Sequence, residues 1–314
     1  MKIFFVYKDY FGRRARYGKM MELLGHKVEY FRITKKAPRL LQPKHIKKSK
    51  PDLVWFLNPF YVRNNVEAVN YIRAKKIPTV MYGTFNPQEP YTDWLSTWQK
   101  IDYLFVHHTG FCNWLKSQGL NAYFMPVGFY PDMYYKHVKP KSITVSFCGG
   151  VKTFVDPQKD KRCVYLQSLK DMGVVVYGER FKAKLKGIPV HSYDQHQEQM
   201  DVYARTTINL DLPYCSGDHS FYQQGPHLKN RFFEIPATDN FLLTLRSQES
   251  LDILDETMVG YFDDNVDSLR EMVGKYLKDE KIRKEMTARA YHEVHEKHTF
   301  KKRFKQIFKI LRDI

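Results

Sequence analysis

The sequence lacks long apolar runs and contains few cysteines. No stretch of about 18 apolar residues, the length that a membrane-spanning helix needs, occurs in the 314 residues. The apolar residues 3–6 are too few for the core of a signal peptide and charged residues follow them. The four cysteines form no CxxC pair, which argues against a zinc site or a disulfide framework. We therefore expect a cytoplasmic protein with reduced thiols and no transmembrane helix.

Several nucleotide and metal motifs are also missing. The loop after the first predicted strand has no G-x-G-x-x-G, which argues against NAD or FAD. The absence of GxxxxGK[ST] argues against ATP hydrolysis, and no serine-nucleophile motif occurs. His292, His295 and His298 are spaced by three and do not form HExxH, so we interpret them as a solvated helix face. Asp263 and Asp264 are interpreted as a loop and cap before a helix, and we expect no metal site.

What is present indicates a globular protein with an uneven charge distribution. Apolar residues make up 43% of the chain and aromatic residues 15%, and the length suffices for two domains. Of the net charge of +17, residues 1–50 contribute +12 and residues 275–314 contribute +7, so the middle of the chain is nearly neutral. Basic ends of this kind favour an anionic partner, although a solubilising surface is the more common explanation of a charge run.

Strand-like and helix-like segments alternate along the first part of the chain. This alternation predicts a parallel, doubly wound sheet. Ligand groups in such sheets gather beyond the carboxyl ends of the strands. The predicted strands are 2–7, 28–33, 52–57, 78–82, 101–107 and 122–126, with helices at 13–24, 63–74 and 110–119 and an exposed basic connector at 35–50. The residues placed at the carboxyl ends are Asp9, Tyr10, Asn58, residues 84–86, His107 and His108.

A second alternating series follows a segment rich in proline and glycine at 125–134. We interpret that segment as a hinge between two domains. Strands at 143–147, 173–177 and 208–212 alternate with helices at 162–170 and 197–205, which predicts a second Rossmann-like domain. Two amphipathic helices end the chain, the first behind a predicted Asp267 cap. The predicted domains are 1–135 together with 299–314, and 136–298.

Residues 227–245, HLKNRFFEIPATDNFLLTL, are the most informative segment. Lys229, Asn230 and Arg231 lead into a predicted helix start at 232–235, so cations and backbone N–H groups converge on one point. Such a point binds anions, and phosphate is the anion we expect. One turn further along, Glu234 could accept hydrogen bonds from the two hydroxyls of a ribose. A buried helix that begins with a charge pair is the alternative.

This segment resembles the signature R-x-F-E-I-x-A-x-G-x-F-L-L-T of the CgeB-like (spore-maturation-type) glycosyltransferases, a branch of the GT-B group. Asp239 stands in place of the usual glycine. The resemblance extends to Gly149–Gly150, to Tyr177–Gly178 and to the C-terminal part of the chain, and covers the N-terminal half only in architecture. The matching residues in the signature are Arg231, Phe233, Glu234, Ile235, Ala237, Phe241, Leu242, Leu243 and Thr244.

The resemblance implies an α/β fold of the GT-B type, with two Rossmann-like parallel-sheet domains facing a cleft and a C-terminal helix that crosses back to the first domain. The implied activity is transfer of a sugar from a nucleotide-sugar co-substrate, expected to be a UDP-sugar, to an acceptor hydroxyl, with no other cofactor. The implied donor-binding residues are Gly149, Gly150, Tyr177, Gly178, Lys229, Asn230, Arg231 and Glu234. Many retaining relatives carry a second glutamate eight residues before the ribose-binding one, where this chain has Pro226.

The catalytic group and the acceptor stay open at this point. His107 or Asp9 could act as the base, and an ordinary strand-end histidine or loop carboxylate is the alternative for each. Asp211 and Asp218 flank a loop near the expected donor site. An anionic acceptor such as DNA with a hydroxymethylated base fits the basic first domain, and contact with an anionic membrane fits it too. A glycan, lipid or protein acceptor fits the resemblance equally well, and a non-catalytic nucleic-acid-binding module is the alternative from another class.

Overall fold

Two separate parallel sheets organise the chain. The computed structural model describes residues 1–7, 15–33, 40–83, 92–150, 160–192, 196–213 and 228–313. The chain divides into two compact units, one formed by Met1–Pro126 with Phe300–Ile314 and the other by Val127–Thr299. The boundary predicted between residues 135 and 136 therefore lies within the second unit.

The first unit contains a six-stranded parallel sheet with the order β2-β1-β3-β4-β5-β6. Its central strands are continuous apolar runs, as expected for a sheet that is covered on both faces. The predicted strand positions are confirmed to within a few residues. The strands are β1 (Lys2–Tyr7), β2 (Lys27–Arg32), β3 (Leu53–Phe56), β4 (Thr79–Gly83), β5 (Tyr103–Val106) and β6 (Ala122–Phe124).

Three helices of this unit were not predicted, one of them the single turn Phe60–Arg63. A second lies in the supposed exposed connector, where Pro43 occupies the first helical turn and the side chain of Ile46 is buried. Another helix buries Trp94 and Trp98. It was not predicted because two apolar positions in a short segment are too few to establish a helical periodicity. The helices are α1 (Ala15–Glu22), α2 (Pro43–Ser49), α3 (Phe60–Arg63), α4 (Val66–Ala74), α5 (Thr92–Trp98) and α6 (Thr109–Ser117).

The second unit contains another six-stranded parallel sheet, with the order β12-β11-β10-β7-β8-β9. The chain builds outward from β7 to one edge, then returns to the other side of β7 and builds outward again. The order thus reverses between β7 and β10, and ligands of doubly wound sheets bind beyond the carboxyl ends of the strands at such a point. The strands are β7 (Ile143–Cys148), β8 (Val174–Tyr177), β9 (Val190–His191), β10 (Thr206–Asp211), β11 (Leu242–Leu245) and β12 (Gly260–Phe262).

Helices cover both series of strands in this unit. The cap of α11 is Asn265, whose side chain accepts a hydrogen bond of 2.7 Å from the Ser268 N–H. The predicted cap, Asp267, lies inside the first turn, so that prediction was wrong by two residues. The helices are α7 (Lys161–Ser168), α8 (His196–Arg205), α9 (Arg231–Ala237), α10 (Gln248–Leu251), α11 (Val266–Lys278) and α12 (Glu280–Lys297), with 3-10 turns at Lys170–Met172 and Glu179–Phe181.

The three histidines near the end of α12 do not form a solvated face. His292 is exposed, but the ring Nε2 of His295 lies 3.0 Å from the Ala237 carbonyl oxygen. His298 is buried, with its ring 5.4 Å from that of Phe233. The solvated-face prediction was wrong for these two because α12 packs against α9, which turns that side of the helix inward.

The helix α13 (Phe300–Ile310) belongs to the first unit. Its buried face is the aromatic stripe that the periodicity indicates, and Phe304 lies 5.3 Å from the ring of Trp55 and 5.6 Å from that of Tyr82. This is the unit to which the resemblance assigns the C-terminal helix. Among the residues that the structure describes, no helix is both long enough and apolar enough to cross a membrane.

The substitution Asn265→Ala should destabilise the second unit. Removing an N-cap side chain typically costs about 1 kcal/mol, which corresponds to a decrease in Tm of about 2–4 °C for a unit of this size. Thermal unfolding measures the effect, with Asp267→Ala as the matched control. Asp267 does not cap the helix and interacts with the helix dipole and with the charge of Arg270, so its removal should matter less. A decrease in Tm for Asp267→Ala as large as that for Asn265→Ala would contradict this assignment of the cap.

Candidate donor-binding site

Two glycines bring the ends of β7 and β8 into close contact. The Gly149 N–H donates a hydrogen bond of 2.9 Å to the Tyr177 carbonyl oxygen. A Cβ atom added to Gly178 would lie 1.9 Å from the Gly149 carbonyl oxygen, so no larger residue fits there without a backbone shift. A Cβ atom on Gly150 would meet no described residue within 4 Å. The Gly149–Gly150 backbone is thus held in place and has space beside Gly150 that no described residue fills.

Arg231 brings a positive charge to this backbone. Its Nη1 atom lies 3.0 Å from the position that a Cβ atom on Gly149 would occupy. Its guanidinium stacks 4.9 Å from the ring centroid of Phe147, and its Nη2 donates a 2.9 Å hydrogen bond to Asp211 at the end of β10. Arg231 therefore joins the two strands at which the sheet order reverses. The predicted partners Gly149, Gly150 and Arg231 lie together at this edge.

Asp211 is a component of the site whose role the sequence did not specify. Its side chain is completely buried, and its Oδ2 has no hydrogen-bond partner among the described residues. Burial raises the pKa of Asp211, and the charges of Arg231 and Lys229 oppose that shift. The ion pair fixes the guanidinium of Arg231, and guanidinium groups commonly bind phosphate oxygens through two N–H groups.

Cys148, at the end of β7, is not suited to act as a nucleophile. Burial raises the pKa of the Cys148 thiol to about 12, and the nearby charge of Glu234 contributes to the shift. Since a thiolate is the reactive species, the thiol is inert at neutral pH. The same result indicates that Glu234 lies close enough to the strand end to influence it electrostatically.

Glu234 lies in the first turns of α9, as the sequence predicts. The Glu234 N–H donates a 2.8 Å hydrogen bond to the Asn230 carbonyl oxygen, and the residue is 3% exposed. The side chain of Asn230 makes no capping hydrogen bond, and α9 contains only seven residues. The charges of Lys229 and Arg231 are therefore the stronger attraction for an anion, and the helix terminus adds less than the sequence interpretation assumed.

Tyr177 offers a partly exposed aromatic ring at the end of β8. The ring lies 5.3 Å from that of His191, and burial raises the pKa of the Tyr177 hydroxyl, which stays protonated at neutral pH. A planar nucleotide base can stack on an aromatic face of this kind. Gly178 follows it, and its N–H donates to the His191 carbonyl oxygen at 2.7 Å.

A buried ion pair supports the glycine segment from the start of α7, and sequence analysis missed it. Arg162 forms two hydrogen bonds to Asp160, at 2.9 and 2.7 Å, and its Nη1 donates a 2.8 Å hydrogen bond to the Gly150 carbonyl oxygen. The Asp160 side chain also caps α7. The sequence signal for this pair is the pattern Asp160-x-Arg162 at the start of the helix that the sequence predicts at 162–170.

The two adjacent histidines after β5, His107 and His108, make different contacts. His108 caps α6 by accepting a 3.1 Å hydrogen bond from the Phe111 N–H. His107 is 3% exposed, with its Nδ1 2.7 Å from the Met125 carbonyl oxygen. Because a carbonyl oxygen can only accept, Nδ1 donates in this hydrogen bond. Asp9, Tyr10, residues 84–86, Asp218 and Pro226 lie outside the described residues.

The structure explains the aspartate that replaces glycine in the signature. Asp239 has a φ of 59°, in the left-handed region, where glycine is the usual residue and aspartate one of the tolerated substitutes. Its carboxylate lies 2.6 Å from the Lys136 ammonium group. The turn between α9 and β11 therefore keeps the conformation that a glycine would adopt.

One family model and several solved structures that this chain resembles are those of glycosyltransferases. A family model described as "Glycosyl transferase-like" matches residues 161–309. The sucrose-phosphate synthase from Thermosynechococcus elongatus is 9% identical and matches with a TM-score of 0.70 over 100% of this chain and 98% of its own. The fold is that of the GT-B glycosyltransferases. No curated protein sequence matches the chain.

Two further GT-B structures have similar scores. A glycosyltransferase from Rickettsia africae is 11% identical, with a TM-score of 0.68 over 99% of this chain and 98% of its own. An alpha-glucosyltransferase in complex with UDP and a 13-mer DNA containing an HMU base is 14% identical, with a TM-score of 0.68 over 99% of each chain. These results confirm the predicted GT-B fold, and residues 161–309 match a glycosyl transferase-like family model, whereas the narrower CgeB-like family stays a prediction.

Among the described residues of this GT-B chain, no group of three or more histidine, cysteine, aspartate or glutamate side chains is arranged to hold a metal ion. The positive charge at the site comes instead from Lys229 and Arg231. Asp263 and Asp264, which resemble an acidic metal-binding pair in the sequence, bind Arg246 and Lys161 respectively.

Gly178→Ala should lower the stability of the second unit, whereas Gly150→Ala should not. The new Cβ of Gly178→Ala would overlap the Gly149 carbonyl oxygen, and overpacking of this kind costs about 1–3 kcal/mol. We expect a decrease in Tm of at least about 2 °C. The new Cβ of Gly150→Ala would contact no described residue, so this substitution should leave Tm unchanged or slightly higher. Equal effects of the two substitutions in thermal unfolding would contradict the contact between Gly149 and Gly178.

Proposed function

We propose that the chain transfers a sugar from a nucleotide-sugar donor, with UDP-sugar as the preferred class, to an acceptor hydroxyl. The observation that carries the proposal is the position of Arg231, paired with Asp211 and in contact with the Gly149 backbone where the sheet order reverses. A diphosphate at this edge would meet a guanidinium and the Gly149–Gly150 backbone. The GT-B fold and the glycosyl transferase-like match support the same activity.

Each donor group has a candidate partner in this proposal. The diphosphate binds Arg231, Lys229 and the Gly149–Gly150 backbone, and Asn230 supports the segment that carries both cations. The base lies against Tyr177 and Gly178, and the ribose hydroxyls donate to Glu234. All these residues except Gly150 are partly or fully buried, so the electrostatic interactions act in an environment with little water and are stronger there.

The proposed reaction needs a group that leaves with negative charge. The acceptor oxygen attacks the anomeric carbon, the bond from that carbon to the β-phosphate oxygen breaks, and the nucleoside diphosphate departs with the electron pair. Lys229 and Arg231 stabilise the charge that develops on the diphosphate. The hydroxyl proton passes to a base, for which His107 and Asp9 stay the predicted candidates. The nucleotide sugar carries the activated group, so the proposal requires no resident cofactor.

For the acceptor we favour an anionic molecule, with DNA that bears a hydroxymethylated base as the leading candidate. The net charge of +12 in residues 1–50 supports this choice, because cations that neutralise phosphates supply much of the affinity for nucleic acid. The similarity to the alpha-glucosyltransferase that was crystallised with UDP and HMU-containing DNA supports it as well. A base within a duplex would have to be flipped out to react. The same charge would also favour contact with an anionic membrane.

Binding of UDP should raise the Tm of the protein, and Arg231→Ala should abolish the increase. A ligand at 100 times its Kd stabilises the folded state by about 2.7 kcal/mol, which is several degrees in Tm. Since Arg231→Ala leaves Asp211 buried without its partner, each variant is compared with its own ligand-free Tm. Glu234→Gln keeps the shape of the side chain and should reduce the shift. Arg246→Ala, which removes a surface arginine, is the control and should keep it.

The transfer reaction is tested by supplying each common nucleotide sugar with and without hydroxymethylated DNA. We expect nucleotide release that rises only with the modified DNA, and loss of that release in Arg231→Ala. Nucleotide release that does not depend on DNA would indicate that the acceptor is a glycan, a lipid or a protein. If no donor gives release and UDP does not change Tm, the enzyme proposal is wrong and a non-catalytic binding module takes its place.

Binding to DNA should weaken steeply with salt. If several lysine and arginine side chains neutralise phosphates, the logarithm of the binding constant falls linearly with that of the salt concentration, with a slope of about −0.9 per phosphate contact. A titration of labelled duplex DNA between about 50 and 200 mM salt measures this slope. Binding that is absent or insensitive to salt would remove the anionic acceptor while leaving the donor site intact.

A further inference from the structure

A cavity lies at the amino ends of the strands in the second unit. Its volume is about 770 Å³, within the range of small-molecule sites. Lys141 precedes β7, Thr207 is the second residue of β10, and Asn240 precedes β11, so these residues mark the amino ends of the strands. The candidate donor site lies at the carboxyl ends. With about 3.3 Å per residue, the six residues of β7 separate the two sites by roughly 20 Å.

One face of α12 forms the wall of this cavity. The lining residues Glu280, Arg283, Lys284, Thr287 and Tyr291 are spaced by three and four, so they lie along one side of the helix. Most of this side is polar or charged instead of apolar. It therefore lines an open cavity and does not pack into the core.

The side chains that line the cavity carry more positive than negative charge. Lys136 pairs with Asp239 at 2.6 Å and Lys284 pairs with Glu280 at 2.6 Å. The two remaining cations, Lys141 and Arg283, have only neutral oxygens as hydrogen-bond partners in the described part of the chain. The cavity thus holds two positive charges that no carboxylate pairs with directly.

Both of these cations retain N–H groups that could bind a ligand. The Lys141 ammonium donates to the Ala204 carbonyl oxygen at 2.9 Å and to Asn240 Oδ1 at 2.8 Å, which uses two of its three donors. Arg283 donates through Nη1 to the carbonyl oxygens of Tyr276 and Leu277, at the end of α11. Within the described residues its Nη2 and Nε have no acceptor. These hydrogen bonds orient each head group without neutralising its charge.

The electrostatics of Lys141 support the same conclusion. Partial burial lowers the pKa of Lys141 to about 8, and the charge of Arg283 contributes to the decrease. Burial also lowers the pKa of Arg283. The carboxylates of Glu280 and Asp279 oppose the decrease in the pKa of Arg283. An anion that binds beside Lys141 and Arg283 would favour the charged form of each.

We propose that this cavity binds a small phosphate monoester, with the phosphate between Lys141 and Arg283. A phosphate monoester carries a charge of about −1.5 to −2 at neutral pH and three acceptor oxygens, which matches two cations with remaining donors. The volume exceeds what a phosphate fills, and Val138, Thr287 and Tyr291 line the space that the organic part of the ligand would occupy. This site is independent of the proposed donor site.

Thermal unfolding at constant ionic strength tests the proposal. The probes are ribose 5-phosphate, glycerol 3-phosphate and inorganic phosphate, with ribose and glycerol as neutral controls. We expect the two phosphate monoesters to raise the Tm of the full chain by at least about 2 °C and the neutral compounds to leave it unchanged. Lys141→Gln and Arg283→Gln should each remove at least half of the increase. Both variants keep a side-chain amide that can donate to the carbonyl oxygens.

Two controls separate this site from others. Lys281→Gln removes an exposed lysine of α12 that does not line the cavity and should keep the full increase. Arg231→Ala should keep it too, because it changes only the donor site, so failure of one proposal leaves the other standing. The proposal is overturned if neither monoester raises Tm. It is equally overturned if Lys141→Gln and Arg283→Gln respond like Lys281→Gln, or if Arg231→Ala alone removes the increase.

Discussion

The buried ion pair between Asp211 and Arg231 determines how the second unit presents its charge. Asp211 ends a central strand and is completely buried, so its carboxylate costs free energy unless a cation lies beside it. Arg231 meets that need and is thereby held against Phe147 and the Gly149 backbone. Without the carboxylate, a guanidinium on a short helix would have no fixed position. The placement of the phosphate-binding groups thus follows from a carboxylate that the proposed ligand does not touch.

A second buried ion pair, between Asp160 and Arg162, lies at the carboxyl end of β7 and contacts the backbone there. Arg162 binds the Gly150 carbonyl oxygen while it is itself paired with Asp160, so a second ion pair positions the second glycine. Removing one partner of such a pair typically costs about 3–5 kcal/mol, because the other charge stays buried. The two ion pairs therefore place a guanidinium beside each of the two glycines.

Much of the fold could be predicted from the sequence, because parallel strands that are buried on both faces are continuous apolar runs. The order of the strands could not, since it depends on pairings between segments far apart in the chain. Local polar interactions were also misjudged: Asn265 and Asp267 are both good caps on composition, and only the backbone geometry distinguishes them. Arg231 was predicted from the signature, but its partner Asp211 is 20 residues away and required the structure. The cavity beside Lys141 depends on Arg283, which lies more than a hundred residues further along.

The division of the first unit into Met1–Pro126 and Phe300–Ile314 has a consequence for biosynthesis. The aromatic face of α13 completes a core around Trp55 and Tyr82, yet a ribosome makes residues 127–299 in between. At about 5–20 residues per second, that delay is on the order of 10–35 s. During this time the surface that α13 later covers is exposed to solvent, while the second unit can already fold. The nascent chain therefore carries an incomplete aromatic core until α13 has been made.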